Sequence, residues 1–280
     1  MKLSLFNICN FKVDGGAMFG VVPKALWSRT TESDENNNIV LSLRSLLIET
    51  EGRLFLIDAG WGDKQDEKFF RYTCIHGGEG LVNGLAKCGY KPADVTDIIL
   101  THLHADHCGG CFRNIPGGGY EPVFPNATYH ISKDQWEWAN ESNQREEDAF
   151  LPENIRPIGE SGRLNLIEDN CTLCEGISLR ICYGHTTGLL IPFVKYRNRT
   201  FVFTGDLIPT LAHIRTVWNM AYDILPLVTI AEKEDLLNEA LNGDYVLVFQ
   251  HDALTECCRL SETPKGIRAA EKRELSYFLP

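Results

Sequence analysis

The sequence predicts an α/β fold, and three observations carry that prediction. Short apolar runs rich in branched side chains recur along the chain, helical patterns lie between them, and side chains able to ligate a metal directly follow four of the runs. Apolar runs bounded by turn residues read as buried strands, and strands interleaved with helices imply sheets covered by helices. Strands are accordingly predicted at 39–49 (IVLSLRSLLIE), 53–58 (RLFLID), 97–101, 177–182, 200–204 and 245–250. Helices are predicted at 78–90 (GEGLVNGLAKCGY), 132–142 (SKDQWEWANES) and 231–242 (AEKEDLLNEALN), with an amphipathic helix near 263–278. Ser132 and Thr229 stand where an N-cap hydroxyl would accept from the free amides of a first turn. The polar stretch TTESDENNN at 30–38 predicts an exposed loop. With no low-complexity segment and no long linker, residues 1–280 read as a single domain, although both halves run strands, helix, strand and then a polar cluster, a weak sign of duplication.

Composition bounds the function. A chain of 280 residues with 44% hydrophobic content can build its core without staples. Its 27 Lys and Arg against 38 Asp and Glu give a net charge of −11, a field that repels polyanions and argues against a nucleic-acid partner. No apolar run is long enough to span a bilayer, and the opening MKLSLFNICNFKVDGG has no small-residue cleavage site. The expectation is a cytoplasmic protein with no membrane partner. The 10 cysteines then read as reduced thiols. Cys108 and Cys111, and Cys171 and Cys174, form CxxC pairs without a second pair at zinc-site spacing, so they read as small packing residues.

The chemistry lies where the strands end. VTDIIL runs into Thr101 and His102, ISLRICYG into His185, FVFTG into Asp206 and YVLVFQ into His251. Such strand ends are where an α/β sheet places its ligands. Of the eight histidines, only His76, His130 and His213 fall elsewhere. Imidazole and carboxylate together suit zinc, manganese or iron(II), and two adjacent ions need about six or seven ligands with one carboxylate shared. His102, His104, Asp106, His107, His185, Asp206 and His251 supply seven. In ILTHLHADHCGG, His102 and His104 alternate along an extended segment and point the same way, while Asp106 and His107 turn with the chain toward a second ion.

The motif T-H-L-H-A-D-H, with G-H-T, G-D-L and F-Q-H-D further on, resembles the metallo-β-lactamase superfamily over nearly the whole chain. D-G-G-A-M-F-G-V-V-P-K-A-L-W at 14–27, F-P-N-A at 124–127 and the 205–223 segment are similar to the group of quorum-quenching N-acyl-homoserine lactone lactonases and methyl-parathion-hydrolase-like enzymes. The resemblance implies a four-layer αβ/βα sandwich of two mixed sheets with helices outside. It assigns His102, His104 and His185 to one ion, Asp106, His107 and His251 to the other, and Asp206 to the bridge. It also implies that Asp58, in L-I-D-A-G, orients a ligand from behind. Two departures stand out. The segment after His185 reads Thr186-Thr187-Gly188-Leu189, lacking the proline and second histidine of many relatives, and Pro209 occupies the position where some lactonases carry a substrate-holding tyrosine. Tyr222 and His213 are the candidate substitutes for that tyrosine.

The expected cofactors are therefore two divalent ions, zinc first, with manganese and iron as alternatives. Two such ions sharing a water bring its pKa near neutrality, giving a bridging hydroxide as nucleophile, with Asp106 as the proton carrier to the leaving group. No G-x-S-x-G elbow is present to suggest a covalent route. The expected substrate is a small lactone or other carboxylic ester. The alternative is a phosphotriesterase or other ester hydrolase on the same site, and a third class is an effector-binding protein or an iron-dependent oxidoreductase. Retention of all seven ligands favours hydrolysis, since iron–dioxygen relatives tend to lose one. Met18, Phe19, Trp27, Phe69, Phe70, Tyr72 and Trp218 are candidate walls of an acyl cleft, and 61–76 (WGDKQDEKFFRYTCIH) reads either as a mobile lid or as the contact of a homodimer.

Overall fold

In the computed structural model, which describes residues 1–279, the chain forms two mixed sheets. The amino-terminal half supplies β1 (Lys2–Asp14), β2 (Asn38–Thr50), β3 (Arg53–Ile57), β4 (Asp97–Ile99), a small hairpin of β5 (Phe112–Asn114) and β6 (Tyr120–Pro122), then β7 (Thr128–Ser132) and β8 (Leu164–Ile167). Apart from the hairpin these build a six-stranded sheet in the order β1-β2-β3-β4-β7-β8. The remainder supplies β9 (Cys171–Cys174), β10 (Ile177–Cys182), β11 (Leu189–Tyr196), β12 (Arg199–Phe203), β13 (Val246–Val248), β14 (Cys257–Thr263) and β15 (Gly266–Arg273). They form a seven-stranded sheet in the order β15-β14-β13-β12-β11-β10-β9. The helices are α1 (Gly15–Phe19), α2 (Lys24–Trp27), α3 (Glu67–Thr73), α4 (Leu81–Lys87), α5 (Ala105–Cys108), α6 (Lys133–Asn140), α7 (Pro152–Glu160) and α8 (Pro226–Asn242).

Layering follows from the strand period. Successive side chains point to opposite faces, and the central strands are apolar on both. Phe55 and Ile57 of β3, Phe201 and Phe203 of β12, and Val246 and Val248 of β13 meet between the sheets. The alternate residues face outward: Leu54 and Leu56 pack with Leu85 of α4 and with Ile155 and Ile158 of α7. Val202 and Leu247 pack with Leu236, Leu237 and Ala240 of α8. The result is the four-layer αβ/βα sandwich.

All six predicted strands are present, and Ser132 caps α6 by accepting from the Gln135 amide at 3.0 Å. Two expectations are corrected. Helix α8 begins at Pro226, whose missing amide hydrogen suits a first turn, so Thr229 lies inside the helix and its hydroxyl bonds back to the Leu225 carbonyl at 3.4 Å. The segment 263–278 is mainly strand: β15 pairs antiparallel with β14 across a turn at Thr263–Gly266, and only Leu275–Phe278 makes a short 3₁₀ turn. Among the described residues, no helix is long and apolar enough to cross a membrane.

Candidate metal centre

Each of the four strands singled out by its ending delivers a ligand to the same place. β4 leads through Thr101 to His102, His104 and the one-turn helix α5, β10 to His185, β12 to Asp206 and β13 to His251. His102, His104, His185 and Asp206 offer atoms within 4.8 Å of one another, as do Asp106, His107 and His251. Asp206 joins the two groups. Its Oδ2 lies 3.3 Å from His185 Nε2 and 3.9 Å from His102 Nε2, whereas its Oδ1 lies 2.9 Å from His251 Nε2 and 3.7 Å from His107 Nε2. A carboxylate that turns one oxygen to each cluster is placed to bridge two ions. Asp106 Oδ2 stands 3.5 Å from His107 Nε2 and 3.8 Å from His251 Nε2.

Every imidazole is tethered through the nitrogen that faces away from this point. His107 Nδ1 reaches Asp58 Oδ2 at 2.8 Å, His185 Nδ1 reaches Asp223 Oδ1 at 3.0 Å and His251 Nδ1 reaches the Ser42 carbonyl at 2.9 Å. His102 Nδ1 meets Thr101 Oγ1 at 3.0 Å, and His104, turned the other way, meets Glu146 Oε1 through Nε2 at 2.9 Å. Such tethers orient the rings and turn the other nitrogen inward to ligate, where His102 Nε2 and His104 Nδ1 lie 2.9 Å apart. His107 Nε2, His185 Nε2 and Asp206 Oδ1 are buried without a hydrogen-bond partner; Oδ1 and His251 Nε2 are close but not aligned for a hydrogen bond. Buried polar atoms are normally satisfied, so unsatisfied ones converging on one point call for a cation. The donor set, five imidazoles and two carboxylates, fits two divalent ions.

The charges agree with that fit. Burial pushes the His102 and His104 imidazoles toward neutrality, the form a metal needs. For His107 burial acts the same way, but the carboxylates of Asp106, Asp206 and Asp58 outweigh it and raise the pKa well above the ordinary value. Burial would raise the Asp206 carboxyl, yet His251, His107 and His185 together hold it well below its usual range.

Asp58 supports one side of this centre. It is fully buried, with φ +57°, and its oxygens accept from His107 Nδ1, from the Thr101 amide and hydroxyl at 2.8 Å each, and from Gln250 Nε2 at 3.0 Å. Asp58→Asn, which tolerates the left-handed backbone, places a donor amide where acceptors are needed. The expected result is a loss of about 10–100-fold in affinity for one metal equivalent, measured by zinc titration.

A cavity of about 610 Å³ opens on the centre, with His104, Asp106, His185, Asp206 and His251 on one side and Tyr222 in its wall. Of the proposed acyl-cleft residues, Met18, Phe69 and Tyr72 line it, so part of the 61–76 segment forms one wall. Phe19, Trp27 and Trp218 instead pack on one another in the core, and Phe70 packs edge-on to Phe69 outside the lining. His213 does not line the cavity. Its Nδ1 meets Thr210 Oγ1 at 2.7 Å, its Nε2 meets the Met18 carbonyl at 2.8 Å and its ring stacks on Phe19. Both nitrogens are engaged, and burial pushes the ring down to about 3, so His213 holds the wall. Cys108 and Cys111 are fully buried, and among the described residues neither CxxC joins the converging ligands.

A model of the metallo-beta-lactamase superfamily matches residues 41–251. The chain belongs to that superfamily. Its fold is similar to that of a probable metal-dependent hydrolase from Staphylococcus aureus, with 31% identity and a TM-score of 0.89 over 98% of this chain and 97% of that one. The dizinc quorum-quenching lactonase AidC, solved with a product bound, shares the metallo-beta-lactamase fold at 20% identity and a TM-score of 0.80, over 98% of this chain and 95% of that one. Among curated relatives, an N-acyl homoserine lactonase from Bacillus cereus is 30% identical over 162 residues, 54% of this chain and 58% of that relative. Another, from Bacillus sp, is 28% identical over 152 residues, 51% of this chain and 54% of that relative. The chain thus spans little more than half the length of the curated relatives it matches.

Proposed function

We propose that the protein is a dinuclear metal-dependent hydrolase of lactones and related carboxylic esters, of the N-acyl homoserine lactone type. The observation that carries this reading is the direct opening of a largely apolar cavity onto seven converging ligands, which seats a hydrocarbon tail beside an ester carbonyl. The named lactonase relatives support the same substrate class. His102, His104, His185 and Asp206 would hold one ion, and Asp106, His107 and His251 with Asp206 the other; zinc is the expected metal. When bound, the ions supply Lewis acidity at the carbonyl and lower the pKa of water held there.

The chain's own residues supply the rest. Asp106 faces the cavity as an ionised carboxylate, so it can accept a proton from the attacking water and pass it to the leaving alkoxide. Tyr222 is 45% exposed, yet its partial burial in the cavity wall and the Asp106, Asp14 and Asp206 carboxylates raise its phenol pKa above the ordinary value, so it stays protonated and donates to a substrate oxygen. Phe69, Trp61 and Met220 exclude water around the reacting carbonyl.

The test combines metal analysis with a substrate panel. Protein reconstituted with zinc or manganese is expected to hold close to two equivalents and to open acylated lactones faster than it cleaves aryl esters or phosphotriesters. A reproducible single equivalent at saturation rejects the dinuclear centre. Efficient phosphotriester cleavage without lactone turnover rejects the substrate class.

A further inference from the structure

We propose that α8 clamps the metal centre: its adjacent residues Glu232 and Lys233 together set the position of His185, one by gripping the strand end that carries it, the other by gripping the loop that carries Asp223. The proposal rests on His185 being a metal ligand, and it is independent of the substrate. Glu232 accepts from two consecutive amides just before His185, Tyr183 N to Oε1 at 2.6 Å and Gly184 N to Oε2 at 3.0 Å. A carboxylate receiving two neighbouring N–H groups fixes the backbone orientation there. Gly184 packs so closely on α8 that a Cβ would fall 2.4 Å from both the Thr229 amide and its hydroxyl. The ligand loop therefore has no freedom to move toward the helix.

Lys233 holds the other side. Its ammonium donates to the carbonyls of Trp218 at 2.8 Å and Arg215 at 3.1 Å, and to Asn219 Oδ1 at 3.4 Å. A few residues on, Asp223 presents Oδ1 to His185 Nδ1 at 3.0 Å while its Oδ2 accepts from the Met220 amide at 3.1 Å. The same loop returns to the ligand segment through Ile224 N to the His185 carbonyl at 3.1 Å and Leu225 N to the Gly184 carbonyl at 2.9 Å. Loop and ligand segment thus form one unit, held from two successive positions of one helix.

The energetics argue that Lys233 is present for this purpose. It is 1% exposed and makes its hydrogen bonds to neutral oxygens, with no carboxylate among them. Burying an ammonium is expensive, and burial pushes its pKa down to about 7, with the nearby Asp223 carboxylate offsetting only part of that cost. The rest of the buried face of α8 is largely apolar, with Leu236, Leu237 and Ala240, where another leucine would serve packing better. What the lysine adds is three directed contacts to the loop.

Zinc titration of the full chain, followed by calorimetry and thermal melting, tests the clamp in Lys233→Met, which keeps the stem and removes the donors, and in Glu232→Gln, which opposes one amide with another on the half-exposed side of the helix. The expected result in each is about a tenfold loss of affinity at one zinc equivalent, the lower end of what orienting partners contribute, with the other equivalent unchanged. A residue that only stabilised the fold would lower the melting temperature without separating the two equivalents. Equal weakening of both, or no weakening of either, overturns the clamp. If Lys233→Met does not fold, Glu232→Gln alone decides. Zinc uptake by the unaltered protein reports separately on the metal centre, so failure of that reading is distinguishable from failure of the clamp.

Discussion

Asp106→Asn should turn over a lactone at least about 10²-fold more slowly than the parent at saturating zinc, the scale on which acid–base catalysis is lost. The substitution keeps the shape of the side chain. It removes a carboxylate that lines the cavity and that His107 and His251 hold ionised against the effect of burial. Two losses are combined, because Asp106 lies near both the metal-facing imidazoles and the reacting carbonyl. Leaving-group dependence separates them. A lactone expels an alkoxide, which has to be protonated as it departs, whereas a nitrophenyl ester expels a phenolate that leaves unaided. If Asp106 carries the proton, the defect is larger for the lactone. If it serves only as a ligand, both substrates slow equally and zinc occupancy falls with them. Parental turnover from a fully metallated variant would remove Asp106 from both roles.

The strand ends were legible because they combine two strong signals, an apolar run that must be buried and a polar group of defined ligand chemistry immediately after it. His102, His185, Asp206 and His251 are of this kind. What holds them was less legible. Glu146 lies in the polar run QREEDA and meets His104 from 42 positions away, so nothing local marks it. Asp223 closes the W-N-M-A-Y-D segment, yet its partner is 38 positions back. Pairings of this range are set by tertiary packing, and single-sequence periodicity carries no trace of them.

The elements that the sequence conceals have local causes. β1 is the longest strand of the first sheet's edge, but a register shift between Asn7 and Cys9 breaks its alternation, so Leu3, Phe6, Ile8, Cys9 and Phe11 are buried out of step with a period of two. At the other end, GIRAAEKR is rich in good helix formers, and pairing with β14 overrides that preference. The turn residues Pro264 and Gly266 were the available signal. On an edge strand the charges of β15 have a different use, since they discourage pairing with another chain.

Across a series of N-acyl homoserine lactones, kcat/KM should rise with acyl length by up to about fourfold per methylene, the equivalent of about 0.8 kcal/mol of apolar burial, until the tail fills the cavity. Phe11, Met18, Trp61, Phe69, Met220 and Ile224 supply the apolar lining that such a tail would cover. Asp106 and Asp206 lie at the metal end, where two divalent ions would offset them; away from it Glu146 and Asp148 stand beside Arg145, whose guanidinium already donates to the Ala221 carbonyl. An acyl chain ending in a carboxylate should therefore lose the gain that its methylenes confer, because its charge must leave water for apolar walls with no free cationic side chain to receive it. The two metals alone would serve a planar carbonyl or a tetrahedral phosphorus equally, so it is the cavity that decides between them. Steady-state kinetics on the neutral series and one carboxylate-terminated member are sufficient. A flat chain-length dependence would place the tail outside the cavity, and equal rates for the charged and neutral tails of one length would show that the end of the tail stays in water.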